Sequence, residues 1–392
     1  MKALQLRSHL KRQATVGLVL IATSVSVVAC SSSTSAGGAS GSSGSTGSSA
    51  SADAAGVAAA TAALAGHVAT PAKINQTVPL SKPAPTGKTL IFLNNTQPTL
   101  VPTDKAMREA TAAIGWSYES LGWDTANIAT LNSAAMTALS KHASVVAVAG
   151  ASQPELSAAT LSAYKSAGVP LIVASACPVV ATDPVVAGPA TCASEEPPAR
   201  ALADWFVSDS KGQGKAIFQD MQSVASHAAF VKYFQDEVSK KCPGCQVKLM
   251  VTTPQQYTQN QIVPSMVSTL RSNPSYTYAF FTVGQYAAGI VPALSAAGLS
   301  GIKVGGRGMD SGALTGLQQG SEAAWTATSY FMVGYGIVDV ALRALTGSSG
   351  LTGDAVIPFQ LVTASSSTGV SNPYNAPTDA LQQYLKLWGV SK

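Results

Sequence analysis

The chain has 392 residues, 46% of them hydrophobic and only 11% charged, which is enough for two globular lobes and too much for one core. Its formal net charge is +5, but Lys2, Arg7, Lys11 and Arg12 supply four of those charges ahead of Cys30, leaving about +1 (5 − 4) beyond it. A body that close to neutral gives no basis for a nucleic-acid partner, which needs clustered cations.

The four cations lead into an uncharged run, Ala14 to Ala29, that closes as Val27-Val28-Ala29-Cys30. At about 16 residues the run is shorter than the roughly 20 of a membrane span and has the proportions of an export signal. Aliphatic and small residues directly before a cysteine resemble the lipobox of bacterial lipoproteins. That resemblance implies lipid on Cys30, removal of residues 1–29, and a product anchored on the extracytoplasmic face of the cell membrane. The plainer alternative is a secretory signal cleaved near a cysteine. Residues 30–81 follow as an expected Ser/Gly/Ala tether. From Ser31 to Ala72 Asp53 is the only acid and there is no Lys or Arg, so little apolar surface is on offer to offset ordering entropy. The stretch Ala54 to Ala65 reads as transient helix with nothing that demands packing.

From Lys88 onward apolar strands alternate with helical periods. Strands are predicted at 89–93, 117–121, 145–149, 170–174, 215–218, 247–251, 278–283, 302–305 and 325–329. Helices are predicted at 104–114, with Thr103 as N-cap, and at 128–141, 154–167, 198–207, 226–239, 262–271, 286–297, 314–318 and 333–345. Strands apolar on both faces, separated by amphipathic helices, point to α/β architecture. Two doubly wound parallel-sheet lobes are expected, with a ligand cleft beyond the carboxyl ends of their strands. Trp116, Trp123, Trp205 and Trp325 read as core.

The cysteines beyond Cys30 number four. In an exported chain an even set reads as disulfides, and proximity favours Cys177–Cys192 and Cys242–Cys245 among three possible pairings. Redox or zinc roles for the Cys242-Pro-Gly-Cys245 turn are the alternatives. A zinc site needs further ligands at suitable spacing, whereas His9, His67, His142 and His227 are scattered singly.

Over about Lys88 to Thr363 the chain resembles the type I periplasmic binding proteins of the ribose-binding-like branch. The resemblance rests on Thr89-Leu-Ile-Phe-Leu93, Ala167-Gly-Val-Pro-Leu-Ile-Val-Ala-Ser175, Tyr278-Ala-Phe-Phe-Thr282 with Gly289-Ile-Val-Pro-Ala-Leu-Ser-Ala-Ala-Gly298, and Ile302-Lys-Val-Gly-Gly306. It implies lobe 1 at 82–193 and 306–360, lobe 2 at 194–305 and 361–370, and a C-terminal tail at 371–392. Hinges are expected at Cys192–Pro198, Lys303–Gly306 and Ile357–Gln360. By register, the family's sugar contacts fall on Thr99 and Leu100, just after Gln97-Pro98, on Ser175 and Ala176, on Phe230, on Gly284 and Gln285, and on Gly308, and Gln97 joins the expected ligand set beside them. Tyr257 and Asp310 complete the expected ligand set, although Asp310 before Ser-Gly also fits a helix cap. Nearly every charged sugar contact of the family is replaced by a small, amide or apolar group. The expected ligand therefore carries more apolar surface and fewer hydroxyls than a free monosaccharide.

Enzyme signatures are missing: there is no GxSxG elbow, HExxH, P-loop or dinucleotide fingerprint. Glu195-Glu196 in a Pro-rich loop reads as a solvated pair, and Arg307 as a surface or interlobe ion-pair residue. The expectation is capture of a small molecule by lobe closure and delivery to an ABC permease, by a monomer needing no cofactor and no metal. A ligand-sensing receptor of the same fold is the alternative, and an exported hydrolase a more distant one.

Overall fold

A computed structural model describes the chain from Thr46 to Val390, apart from Thr96 and Pro98, with side chains from Asp53 onward. The signal, Cys30 and the first part of the tether lie outside the described residues.

Period-2 apolarity builds two sheets. The first has the order β2-β1-β3-β4-β5 and is wholly parallel: β1 (Thr89–Asn94), β2 (Ser117–Gly122), β3 (Val145–Ala149), β4 (Leu171–Ala174) and β5 (Val185–Ala187). Leu90, Phe92, Val145 and Ala147 point to one face and Ile91, Leu93, Val146 and Val148 to the other. The first face is covered by α2 (Leu100–Ala113), α11 (Tyr330–Thr346) and α12 (Ala380–Leu387), the second by α3 (Ala129–Ser140) and α4 (Ala158–Ala167).

The second sheet has the order β11-β10-β9-β8-β6-β7: β6 (Lys215–Asp220), β7 (Gln246–Val251), β8 (Tyr278–Phe281), β9 (Lys303–Arg307), β10 (Ala324–Thr328) and β11 (Phe359–Thr363). Only the edge pair β10–β11 is antiparallel. One face packs on α5 (Glu196–Asp209) and α6 (Ala225–Lys241), through Phe206, Phe218, Phe230, Phe234 and Phe280. The other packs on α8 (Ile262–Arg271), α9 (Ile290–Ala296) and α10 (Ser311–Gln318). The short α7 (Pro254–Thr258) completes the lobe.

Several boundaries differ from expectation. Residues 306–328 belong to the second lobe, because Gly305, Gly306 and Arg307 pair with β10 inside its sheet. Lys303–Gly306 is therefore a central strand and not a hinge. The return to the first lobe is at Ser329–Tyr330, where α11 begins. The 371–392 segment is no tail: Tyr374 and Ala376 join the second core, and Tyr384 and Trp388 are buried in the first. Thr103 is not an N-cap. The helix starts at Leu100, four residues before its expected start, with Pro102 tolerated in its first turn, and the Thr103 hydroxyl instead donates to the Tyr330 carbonyl at 2.9 Å.

The tether is shorter than predicted. Thr46–Val68 forms α1, which packs on α5, α6 and β11 with Ala60 fully buried. Ile74 and Gln76 are buried in turn, against the first lobe. Small side chains rather than large ones carry this docking, which is why composition alone read the segment as unpacked. Both proximity pairings of the cysteines form, Cys177–Cys192 and Cys242–Cys245. Among the described residues no helix is long and apolar enough to cross a membrane.

Beneath α11 lies a buried polar cluster. Arg343 pairs with Asp339, and Tyr384 donates to Asp354 at 2.5 Å while the other Asp354 oxygen has no partner. Burial, reinforced by the Asp339 charge, pushes the Asp354 carboxyl up to about 8. An unfolded aspartate titrates near ~3.9, so the folded state holds the proton more tightly. The associated stability is full below the unfolded value and is lost as pH rises through the folded one. Asp354→Asn is expected to flatten the decline in Tm between about pH 4 and pH 8. A mutant whose melting curve keeps the wild-type slope would show that Asp354 does not drive it.

Candidate functional site

The lobes meet where the carboxyl ends of their strands lie. The chain leaves β5 through Pro189, whose carbonyl accepts from Ser175 N–H at the end of β4 (2.9 Å). It enters the second lobe through Glu195, which grips Arg307 at the end of β9. It returns through Tyr330, bonded to Thr103 of α2. In doubly wound sheets this edge is where ligands sit.

On the first lobe, β1 runs out into Asn95, which is 6% exposed. Its Oδ1 accepts from Gln97 N–H at 3.2 Å, and its Nδ2 has no partner. Gly150, after β3, lies opposite with φ +73°, and a Cβ there would sit 3.5 Å from Asn95 Nδ2 and 3.8 Å from Gln97 Oε1. The left-handed backbone at Gly150 favours glycine, and the chain there lies next to the buried Asn95 amide. Ser175 also takes a positive φ, 50°, which turns the chain after β4.

On the second lobe, β6 ends in Gln219-Asp220. Gln219 is braced on both sides: its Nε2 donates to Thr252 Oγ1 (2.6 Å), and its Oε1 accepts from Thr282 N–H (3.1 Å) and hydroxyl (2.8 Å). Asp220 is buried with Oδ1 unpartnered, and burial raises its carboxyl pKa. His227, in the first turn of α6, is buried with Nδ1 unpartnered. Burial, helped by the Arg307 charge, lowers its pKa to about 3, so the ring is neutral. It lies 5.9 Å from the Tyr286 ring, and Tyr286 lies 4.9 Å from Tyr257.

Arg307 is held by two 2.6 Å bonds, from Nε and Nη2, to the Glu195 carboxylate, and Nη1 donates to the Thr282 carbonyl at 3.3 Å. Burial works against its charge, but Glu195 more than offsets that and leaves the guanidinium harder to deprotonate than usual. Glu195 is itself only 8% exposed, so it is not the solvated residue expected beside Glu196; Glu196 pairs with Arg200.

The expected ligand residues separate into three groups. Gln97, Ser175, Tyr257 and Gln285 lie at carboxyl strand ends or in the turns and helices that follow. Gln285 is half-buried in a 3-10 turn, and Tyr257 is partly exposed on α7. Leu100 and Phe230 are core residues: Leu100 opens α2 and is buried in the first core, and Phe230 is fully buried beside Phe218 with its ring 6.0 Å from the Arg307 guanidinium. Thr99 and Asp310 are at helix starts, Thr99 preceding α2 and Asp310 capping α10 by accepting from Ala313 N–H at 2.8 Å. Sequence reasoning missed Asn95, Asp220, His227 and Tyr286. Asn95 and Asp220 lie at strand ends, and His227 and Tyr286 in the helix or turn that follows a strand, positions the alternation alone could have marked. A cavity of about 650 Å³ lies elsewhere, at the opposite edge of the second sheet beside Trp205, Lys303 and Glu322.

Two doubly wound lobes joined at the carboxyl ends of their strands, with unpartnered polar groups on both, have the architecture of a two-lobed binding protein. The periplasmic binding protein domain matches residues 90–349, and the chain belongs to that family of extracytoplasmic solute-binding proteins. No curated protein matches the chain in sequence. Among solved structures, the 5-methylthioribose transporter solute-binding protein of Thermotoga lettingae aligns with a TM-score of 0.62 at 14% identity, covering 80% of this chain and 100% of its own. An ABC transporter solute-binding protein of Mycobacterium smegmatis with bound glycerol aligns at 0.61 and 16%, covering 74% and 99%. The arabinose-binding protein AraP of Geobacillus stearothermophilus aligns at 0.58 and 15%, covering 72% and 98%. At these identities the likeness is one of fold.

Proposed function

We propose that the chain is a lipid-anchored solute-binding protein that closes on a neutral ligand and hands it to an ABC importer. The carrying observation is the set of unpartnered buried atoms, Asn95 Nδ2 on one lobe and Asp220 Oδ1 and His227 Nδ1 on the other. Leaving such groups unpaired is costly, and a ligand bearing hydroxyl or amide groups would satisfy them. Arg307 is already neutralised by Glu195, so the site offers no free cation to an anion. Tyr257 and Tyr286 supply an aromatic surface for an apolar part of the ligand. Similar folds are named for 5-methylthioribose and arabinose, and another holds glycerol, all neutral and hydroxylated. The pairing of few polar groups with two tyrosines favours a ligand more apolar than a simple monosaccharide.

A thermal-shift screen of the mature chain over neutral polyols, sugars, substituted sugars and amides tests this. A true ligand raises Tm by mass action, and its affinity should depend little on salt. Asn95→Ala and His227→Ala should each weaken it by about 1–3 kcal/mol. Stabilisation only by carboxylates or phosphates, unaffected by either substitution, would reject the assignment.

Anchoring is proposed from Val27-Val28-Ala29-Cys30. Cys30→Ala is expected to leave the precursor unprocessed or to release the protein from the membrane fraction. Cleaved wild type recovered wholly in the soluble fraction would sink the lipid anchor.

A further inference from the structure

We propose that residues 46–81 form a strap, docked on both lobes across their junction, that limits how far the lobes can open. The inference is independent of which ligand the protein binds.

The strap's first dock is on the second lobe. Gly56 of α1 lies against the Lys241 carbonyl so closely that a Cβ would collide with it. Asp53 accepts from Gly244 N–H (3.3 Å) inside the turn closed by Cys242–Cys245. Thr61 bonds Ser208 through their hydroxyls (2.7 Å), and His67 Nε2 lies 3.1 Å from Asp204 Oδ2. The helix ends with the Val68 carbonyl accepting from Gln360 of β11 (2.9 Å).

The second dock is on the first lobe. Ile74 N–H donates to Gln383 Oε1 (3.1 Å), and Gln383 Nε2 donates back to the Ala72 carbonyl (3.0 Å). Gln76 Nε2 donates to the buried Asp339 (3.1 Å), and Arg343 donates to the Val78 carbonyl (2.6 Å). Leu80 N–H reaches the Leu387 carbonyl (2.9 Å). Between the docks, Ala69 and Thr70 are exposed. This stretch runs beside the segment that carries the chain back into β11, since Asn75 Nδ2 donates to the Val356 carbonyl (2.8 Å).

The physics is that of a short leash. From the Val68 carbonyl to the Ala72 carbonyl there are four residue steps, which at full extension reach about 13–14 Å. A hinge motion that parts the Gln360 and Gln383 anchors beyond that reach must first peel one dock. Peeling α1 exposes Ala60 and the apolar surface of Val57, Leu64 and Val68, so wide opening carries a cost that bare crossover loops do not impose.

The experiment uses the mature chain without added ligand, spin-labelled at Ser140→Cys on α3 and Ser268→Cys on α8. It compares the wild-type strap, Gly56→Leu, and an insertion of about ten Gly/Ser residues between Ala69 and Thr70 that lengthens the leash with both docks in place. Gly56→Leu is expected to speed amide exchange in residues 57–68 by about tenfold or more. Both variants are expected to broaden the interlobe distance distribution toward longer values. The insertion decides the case if Gly56→Leu misfolds or keeps α1 docked. A wild-type distance distribution in the insertion variant, with exchange showing both docks intact, overturns the proposal.

Discussion

Arg343→Met is expected to destabilise the protein by about 3–5 kcal/mol, the usual cost of stripping one partner from a buried ion pair. Arg343 is fully buried in α11. Its Nε and Nη2 donate to Asp339 at 2.6 and 3.0 Å, Nη1 to the Ser349 carbonyl at 2.5 Å, and Nη2 to the Val78 carbonyl at 2.6 Å. Trp388 Nε1 also donates to Asp339, at 2.8 Å. Methionine fills comparable volume but leaves the Asp339 charge without a counter-ion and two carbonyls without donors. The double variant Asp339→Leu/Arg343→Met removes both charges and should cost less than the single one. Urea unfolding of the three proteins gives the comparison. A single variant within about 0.5 kcal/mol of wild type, the range of an ordinary surface change, would show that the pair contributes little.

Glu195→Ala should cost about 3 kcal/mol by the same logic, and it should also change the chemistry of the junction. Arg307 would keep its bond to the Thr282 carbonyl but lose the carboxylate that neutralises it. A guanidinium left free in a largely buried setting attracts anions. The variant is therefore expected to gain Tm in sulfate, relative to chloride at matched ionic strength, where wild type does not. Arg307→Ala should lose stability without that gain. Equal sulfate responses in wild type and Glu195→Ala would mean that Glu195 does not screen the arginine.

The alternation of strand and helix was legible because each buried strand is apolar on both faces. Val145–Ala149 and Ile262–Arg271 coincide with their predicted bounds. What stayed hidden had weak local signal. The helix α1 is mostly alanine, serine and glycine, with only Val57, Leu64 and Val68 spaced along its docking face, so its packing leaves a weak local signal. The edge strand β11 is short and antiparallel, and α12 follows a Pro-rich stretch that reads as a terminus. At the site, the register brought Gln97, Ser175, Tyr257 and Gln285 to strand ends or the segments after them but put Phe230 and Leu100 in the core. A shift of a few residues in a loop moves a side chain from one layer to another, and nothing local in the sequence fixes that shift. Glu195 and Arg307 lie 112 residues apart, and only the closed topology reveals them as partners.

The interleaved course of the chain also sets an order of assembly. The first sheet is complete by Ala187, yet one of its faces waits for α11 and α12, the last helices to be made. Until they arrive, α2 alone covers that side, and Met107 on α2 and Phe92 and Ala147 on the sheet lack their contacts with the last two helices. The second lobe, by contrast, can gather most of its core from one uninterrupted stretch between Glu195 and Thr328. Emerging from a translocation pore from its N-terminal end, the chain should build its second half first and finish its first half last. Contacts that span so much sequence form slowly and leave an apolar sheet face open meanwhile. Aggregation during export would then begin at β1 and β3, and substitutions in α11 or α12 would lower the yield of secreted protein more than equally buried changes in α8.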